Sequence, residues 1–253
     1  MNTEQEVIRF FVGWDVGAWN CDKNPNSRDA IVILDSQNQI VGRPWGWGNL
    51  RSTINASAST RKWLEALFTL CDTELPKDNY RVTMAIDTPL GFSTEFVQLI
   101  TNLACYSKPI DDSATNKYLF RQTERFLFAN DHTPLSAIIH MIGSQATKGV
   151  HVISKFSKTI ADCGVWTDGA SLTVIEAYPA SCKGSKSMRD LRHHAALGRD
   201  DIEDALTCAL VAYLFETNRA SLAAPFEETP KTEGWIWVPL DALNQKIDPA
   251  SVK

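Results

Sequence analysis

RDDIEDALTCALVAYLF, from Arg199 to Phe215, begins with charged residues and then becomes almost entirely apolar. This pattern predicts a helix whose first acids lie near the positive end of the helix dipole, where acids cap the first turn. Capping does not explain Asp204, which heads a row that continues through Cys208, Val211 and Phe215. An unpaired buried carboxylate costs several kcal/mol, so Asp204 needs either an arginine or a metal ion as a partner.

Three predicted strands elsewhere in the chain also end in an acid. IRFFVGWDV (8–16) carries Asp15, RVTMAIDTP (81–89) carries Asp87 and SLTVIEAYP (171–179) carries Glu176. Taken singly, each acid is explained by a helix cap or a turn. If the three strands are neighbours, however, the carboxylates converge, and then either a proton or a cation must offset their repulsion.

Such a set of acids predicts a site for hard divalent cations. Asp201 lies three residues before Asp204, close enough on one helical turn to point at the same ion. Oxygen-only ligands suit Mg²⁺ or Mn²⁺, and two ions would offset most of the charge of five carboxylates. No spacing of histidines and cysteines suits zinc.

The order of the predicted elements favours an α/β fold, with a mixed central sheet flanked by helices. AIVILD (30–35) and IVGRPWGW (40–47) flank a short polar turn and predict a hairpin, and STRKWLEALFTLC (59–71) has helical spacing. We expect a single domain over residues 1–253, with a helical insertion at about 91–166 between the fourth and fifth strands.

Composition limits the classes of function. No secretory signal precedes the first strand, no apolar run is long enough for a membrane span, and the six cysteines form no close pair, so we expect a cytoplasmic protein with reduced thiols. The net charge of −5 disfavours non-specific binding to nucleic acid but leaves room for a local basic groove. The basic segment between Lys183 and Arg199 is either such a groove or a solvated face.

Eight tryptophans are many for 253 residues. Trp45 and Trp47 would share one face of a strand, as would Trp235 and Trp237. Packing explains these pairs at least as well as base stacking on Trp45 or Trp47, which would suit single-stranded nucleic acid.

With these residues in hand, the chain resembles the RNase H-like superfamily, and within it a family of predicted RNase H-like nucleases catalogued as a domain of unknown function. The matching pieces are GWDVG (13–17), AIDTPLG (85–91), RQTERFL (121–127), VIEAYP (174–179), DDIEDALTCALVA (200–212) and GWIWVP (234–239). The step from Asp201 to the Asp-Ala-Leu at Asp204 also resembles the pattern of RuvC-type resolvases.

The resemblance implies an RNase H-like sheet in which strand 2 is antiparallel to the rest. It also implies a nuclease that hydrolyses phosphodiesters of DNA or RNA with two Mg²⁺ or Mn²⁺ ions. By position, Asp15, Asp87, Asp201 and Asp204 are the implied catalytic metal ligands, and Glu176 joins them from the narrower family's pattern.

The substrate-binding residues that we expect are Arg121, Glu124, Arg125, Lys183 and Lys186. For the two arginines an internal ion pair with the acids is an equal alternative to binding phosphates.

Other functions remain open at this stage. A phosphotransferase of the actin and sugar-kinase type shares the opening Asp-x-Gly, but such proteins duplicate the domain and carry glycine-rich phosphate loops, and the sequence has neither. A non-catalytic adaptor, or an enzyme that acts on a nucleotide or another phosphate ester, would keep the same fold. A homodimer is a further possibility.

Overall fold

Eight strands form one mixed sheet in the computed structural model, which describes residues 7–19, 27–110 and 115–244. The strands are β1 (Ile8–Asp15), β2 (Asp29–Leu34), β3 (Trp45–Gly48), β4 (Tyr80–Asp87), β5 (Thr159–Asp162), β6 (Val165–Thr167), β7 (Leu172–Ala177) and β8 (Ile236–Trp237). Their order across the sheet is β3-β2-β1-β4-β7-β6-β5, and β8 pairs with β7.

Helices cover both faces of this sheet. They are α1 (Arg51–Ala56), α2 (Thr60–Leu70), α3 (Thr94–Asn102), α4 (Gln122–Ala129), α5 (Gly143–Phe156), α6 (Pro179–Cys182), α7 (Lys186–Leu191) and α8 (Asp200–Thr217). One core cluster lies between the sheet and α1, α2 and α5, and a second lies between the sheet and α8. The predicted α/β fold with a mixed sheet flanked by helices is confirmed.

Strand directions explain where the predicted acids lie. The central strands β1, β4 and β7 are parallel neighbours, whereas β2 is antiparallel to β1. The carboxyl ends of β1, β4 and β7 therefore meet at one edge of the sheet, which is where open α/β sheets bind their ligands.

The predicted hairpin of β2 and β3 is present, but β3 is shorter than the sequence indicated. Residues 40–44 contribute only an isolated bridge between Leu34 and Ile40, and regular pairing begins at Trp45. Gly42 has a left-handed φ of 69° and Pro44 lacks a backbone N–H, so neither suits a continuous strand.

Helix α8 packs directly on β1, and Gly13 makes this close approach possible. A Cβ atom at residue 13 would lie 1.8 Å from the Ala205 carbonyl oxygen and 2.4 Å from the Ala209 nitrogen. Only glycine fits there. The contact fixes the first turns of α8 over the carboxyl end of β1.

The sequence predicted a helical insertion at 91–166, but the insertion is only partly helical. It contains α3, α4 and α5, but it also contributes β5 and the start of β6, which extend the sheet beyond β7. The short hairpin turn at Gly164, with φ of 70°, lies between two strands of only four and three residues, which are too short for a clear alternating pattern.

The remaining expectations concern membrane helices and thiols. Among the residues that the structure describes, no helix is long and apolar enough to cross a membrane. The five described cysteines are free, and Cys21 lies outside the described residues.

Candidate functional site

Three strand-ending acids lie side by side at one edge of the sheet. Asp15 at the end of β1 is in register with Asp87 at the end of β4, and Ile86 of β4 is in register with Glu176 of β7. Adjacent strands lie about 4.8 Å apart, so the three side chains start from neighbouring positions.

Helix α8 adds Asp204 to this edge, and burial together with the mutual repulsion of the acids raises their pKa values. Burial, followed by the charges of Asp204, Asp201 and Asp29, raises the pKa of Asp15 from 3.8 to about 8. Burial and then the charge of Asp15 raise the pKa of Asp87 well above its usual value, and burial raises the pKa of Asp204 as well. We call Asp15, Asp87 and Asp204 the acid cluster.

In the part of the chain that the structure describes, no cation forms an ion pair with the acid cluster. Within residues 7–19, 27–110 and 115–244, no lysine, arginine or histidine lies within ion-pairing distance of any of its three carboxylates. Lys183 lies near enough to Asp204 to oppose the rise of its pKa, but it forms no ion pair with it. The cluster is therefore a set of closely spaced acids that needs protons or an external cation.

Glu176 differs from the acid cluster because it is already paired. The Arg121 guanidinium donates to both Glu176 carboxylate oxygens, at 2.8 and 2.6 Å, and the Leu90 backbone N–H donates to one of them at 2.9 Å. Arg121 also donates to Glu124 and to the Glu233 carbonyl oxygen. All these side chains are buried, so the structure has the internal ion pair that was the alternative to phosphate binding for Arg121.

Asp201 also has a partner, although a more exposed one. Arg199 donates from Nε at 3.1 Å and from Nη2 to the two Asp201 oxygens, and the Ile202 backbone N–H donates to one of them. Of the five predicted metal ligands, Glu176 and Asp201 are thus paired with arginines, and the acid cluster pairs with no arginine of the described chain.

The other predicted substrate-binding residues lie in different surroundings. Arg125 donates to the Phe120 carbonyl oxygen, and Lys186 pairs with Asp190 on the exposed side of α7. Glu124 is buried against Arg121. Only Lys183 lines a cavity together with a member of the acid cluster.

Two cavities flank the acid cluster. One, of about 170 Å³, is lined by Asp15 and Asp87 and by the insertion residues Pro134, Leu135 and Ile142. The other, of about 420 Å³, is lined by the basic residues Lys183, Arg189 and Arg192 and by the acids Asp200, Glu203 and Asp204, and Arg192 is paired with Glu203. We call the second one the basic cavity. Its cations, next to carboxylates, suit the binding of a phosphate group that is also held by a metal ion.

The smaller cavity contains polar atoms without partners. Thr88 and Gln145 both line it. The Thr88 hydroxyl and the side-chain amide oxygen (Oε1) of Gln145 have no hydrogen-bond partner among the described atoms. Buried polar groups are normally satisfied, so these two atoms indicate that water or a ligand completes the cavity.

A second buried ion pair, which the sequence did not reveal, lies next to the loop that follows Asp15. Lys148 of α5 donates to Asp29 at 2.5 Å and to the Gly17 carbonyl oxygen at 3.0 Å, and both charged side chains have no exposed surface. Asp29 also accepts from the Trp14 indole at 3.0 Å and from the Leu50 backbone N–H at 2.6 Å. This network anchors the insertion to the loop that follows Asp15.

Glu233 is another residue that sequence reasoning missed. Its buried carboxylate accepts from the Thr94 N–H at the start of α3 and from the Gln122 N–H at the start of α4. The N-termini of helices favour negative charge, so one acid holds two insertion helices beside the Arg121 network.

The comparisons with known proteins found no match for this chain. The chain matches no protein-family model, no curated protein and no solved structure.

The acid cluster fits Mg²⁺ or Mn²⁺ better than an all-protein metal cage. Among the described residues, no group of three or more histidine, cysteine or acidic side chains is arranged to hold a metal ion. Mg²⁺ does not require one, because it is commonly held by one or two carboxylates together with water and substrate phosphate. Three features fit such an ion: oxygen donors, raised pKa values of Asp15 and Asp87, and no ion-paired cation among the described residues.

Proposed function

We propose that this chain is an RNase H-like, metal-dependent nuclease that hydrolyses phosphodiester bonds of DNA or RNA. The observation that carries the proposal is the acid cluster, in which Asp15, Asp87 and Asp204 lie at the carboxyl ends of the parallel strands and, among the described residues, pair with no cation. The antiparallel β2 beside parallel β1, β4 and β7 is the strand arrangement that the resemblance implies, and it supports the fold assignment.

In this proposal Asp15, Asp87 and Asp204 hold Mg²⁺ or Mn²⁺. Such an ion acts as a Lewis acid toward a phosphate oxygen and lowers the pKa of bound water. The raised pKa of Asp15, about 8, means that the cluster exchanges protons for the cation when the cation binds.

The chain's own residues supply binding and orientation. Lys183, Arg189 and Arg192 in the basic cavity attract a phosphate toward Asp204. Arg121 holds Glu176, which in turn receives the Leu90 N–H and so fixes the backbone that follows Asp87. Water attacks the phosphorus, and the bond to the leaving 3′ oxygen breaks.

The size of the cavity at Asp15 and Asp87 favours a second candidate. A volume of about 170 Å³, lined in part by Pro134, Leu135 and Ile142, suits the phosphate end of a nucleotide or another small phosphate ester rather than a larger ligand. The same acids and the same metal would serve both reactions, so the substrate distinguishes them.

The decisive experiment is a cleavage assay on labelled single- and double-stranded DNA, RNA and hybrids, with nucleoside phosphates alongside, in Mg²⁺ or Mn²⁺. We expect the wild type to cut at least one polymer, and Asp15→Asn and Asp204→Asn to lose most of that activity. Asp78→Asn changes an exposed aspartate in a turn far from the cluster and is the matched control.

Calorimetry with Mg²⁺ and Mn²⁺ gives an independent reading and counts the ions. Hydrolysis of nucleoside phosphates alone would favour the second candidate. A folded wild type that neither binds metal nor cleaves any substrate would contradict both and would favour a non-catalytic adaptor.

A further inference from the structure

Trp47 is exposed in a way that no other tryptophan of the chain is. Seven of the eight tryptophans are buried or half-buried, and Trp45, its neighbour in β3, packs partly against the core. The Trp47 side chain is 70% exposed. Packing therefore accounts for Trp45 but not for Trp47.

Arg199 holds Trp47 next to the start of α8. The Arg199 guanidinium carbon lies 5.0 Å from the centroid of the Trp47 ring, within the range of a cation–π contact. The same guanidinium binds both oxygens of Asp201. One arginine thus joins an exposed aromatic ring to the helix that carries Asp204. We call Trp47 and Arg199 the stacking platform.

The stacking platform lies at the same edge of the sheet as the acid cluster. Ala30 of β2 is in register with Asp15, and a Cβ atom at Gly46 would lie 3.6 Å from Ala30 and 3.0 Å from Ile202 of α8. Trp47 follows Gly46 directly. The Trp47 backbone is therefore about two strand spacings, or roughly 10 Å, from the backbone of Asp15, and its side chain leaves β3 on the face opposite to Gly46.

We propose that Trp47 stacks an unpaired base of the nucleic-acid strand whose phosphate lies at the acid cluster. The proposal rests on the nuclease function proposed above and narrows its substrate to single strands. Aromatic rings stack bases of any sequence because every base has a π face, and an arginine beside the ring adds a cation for the backbone or the base. The basic cavity supplies further phosphate contacts.

The shape of the site favours an unpaired strand over a duplex. The cavity at Asp15 and Asp87 has a volume of only about 170 Å³, and Pro134, Leu135 and Ile142 are part of its lining. A base that stacks on Trp47 must also have left its own helical stack. A single strand meets both conditions without the cost of opening a duplex.

Fluorescence anisotropy tests this without turnover if all proteins carry Asp15→Asn. The probes are labelled oligo(dT), oligo(U) and a hairpin duplex of equal charge, titrated in Mg²⁺. We expect Trp47→Ala to weaken binding of the single strands by about 5- to 150-fold, and Trp47→Phe to weaken it less. Duplex binding should change by less than about 3-fold.

Ile100→Ala is the matched control, because it truncates an exposed apolar side chain on α3. Thermal melting of each variant establishes folding, and truncation of the exposed Trp47 side chain removes little core packing. The DNA and RNA probes show which sugar the strand carries.

Equal affinities of the Asp15→Asn protein with and without Trp47→Ala would overturn the proposal, as would a failure to bind any single strand or an equal loss on the duplex. Trp47-dependent binding by a protein whose wild type cuts no substrate would leave the stacking platform standing and remove the nuclease function. The two proposals therefore fail separately.

Discussion

Replacing Asp15 by asparagine should stabilise the metal-free protein, and increasingly so as the pH rises. The pKa of Asp15 is about 8 in the folded protein, against 3.8 for an ordinary aspartate. Between these two values the folded state holds a proton that the unfolded state releases, so the free energy of unfolding falls as the pH increases. The slope is about 1.4 kcal/mol per pH unit for one group.

From about pH 5 to about pH 8 the Asp15 carboxyl group thus removes up to about 4 kcal/mol from the stability of the wild type. Asparagine has nearly the same shape and does not ionise. It also relieves Asp87, whose raised pKa has Asp15 as its largest neighbouring charge. The gap in unfolding free energy between Asp15→Asn and the wild type should therefore widen over this range.

Urea unfolding in EDTA at several pH values, followed by circular dichroism, measures this gap. Asp78→Asn should follow the wild-type curve, because its carboxylate is exposed. In Mg²⁺ at 100 times the dissociation constant, the wild type should gain about 2.7 kcal/mol and Asp15→Asn much less. Parallel pH curves for the wild type and Asp15→Asn in EDTA would refute the reasoning.

Three further substitutions test the supports of the site. Arg121→Met leaves Glu124 and Glu176 unpaired and should cost about 3–5 kcal/mol in urea unfolding, whereas a cost below about 1 kcal/mol would argue against an ionised network. Gly13→Ala places a methyl group against the Ala205 carbonyl, so it should lower the free energy of unfolding by at least about 1–3 kcal/mol and weaken Mg²⁺ binding in calorimetry. An unchanged Mg²⁺ affinity would show that the packing of α8 on β1 does not position the site. Lys148→Met should lower the free energy of unfolding of the wild type by about 3–5 kcal/mol, and that of an Asp29→Leu protein by much less. Additive losses in this double-mutant cycle would contradict the coupling of the two residues.

The sequence predicted the sheet edge because each of its parts leaves a local pattern. An apolar run that ends in an acid identified the ends of β1, β4 and β7, and the apolar row below Asp204 identified a carboxylate that faces protein. Parallel neighbours then bring the acids together. These features depend on residues a few positions apart.

The balance of charge at the site depends on distant residues and could not be predicted. Glu176 and Asp87 have the same local pattern, yet Glu176 meets Arg121, which lies 55 positions away, and Asp87 meets no arginine in the described chain. Lys148 offered a weak signal, since it shares the buried face of α5 with Val152. That row marks a buried charge but does not name Asp29, 119 positions away, as its partner.

The contrast between paired and unpaired acids is the strongest physical argument for a bound cation. This fold balances buried carboxylates where it needs rigidity, since Arg121 holds Glu176 and Lys148 holds Asp29 at hydrogen-bond distance. Closely spaced acids without a partner reduce stability. The same sequence does place internal cations beside Glu176 and Asp29. Among the described residues the acid cluster nevertheless has no cation paired with it, at the edge where open α/β sheets generally bind ligands. Strain of this kind is retained where a ligand relieves it, and the ligand that we propose is a hard divalent cation held by carboxylate oxygens.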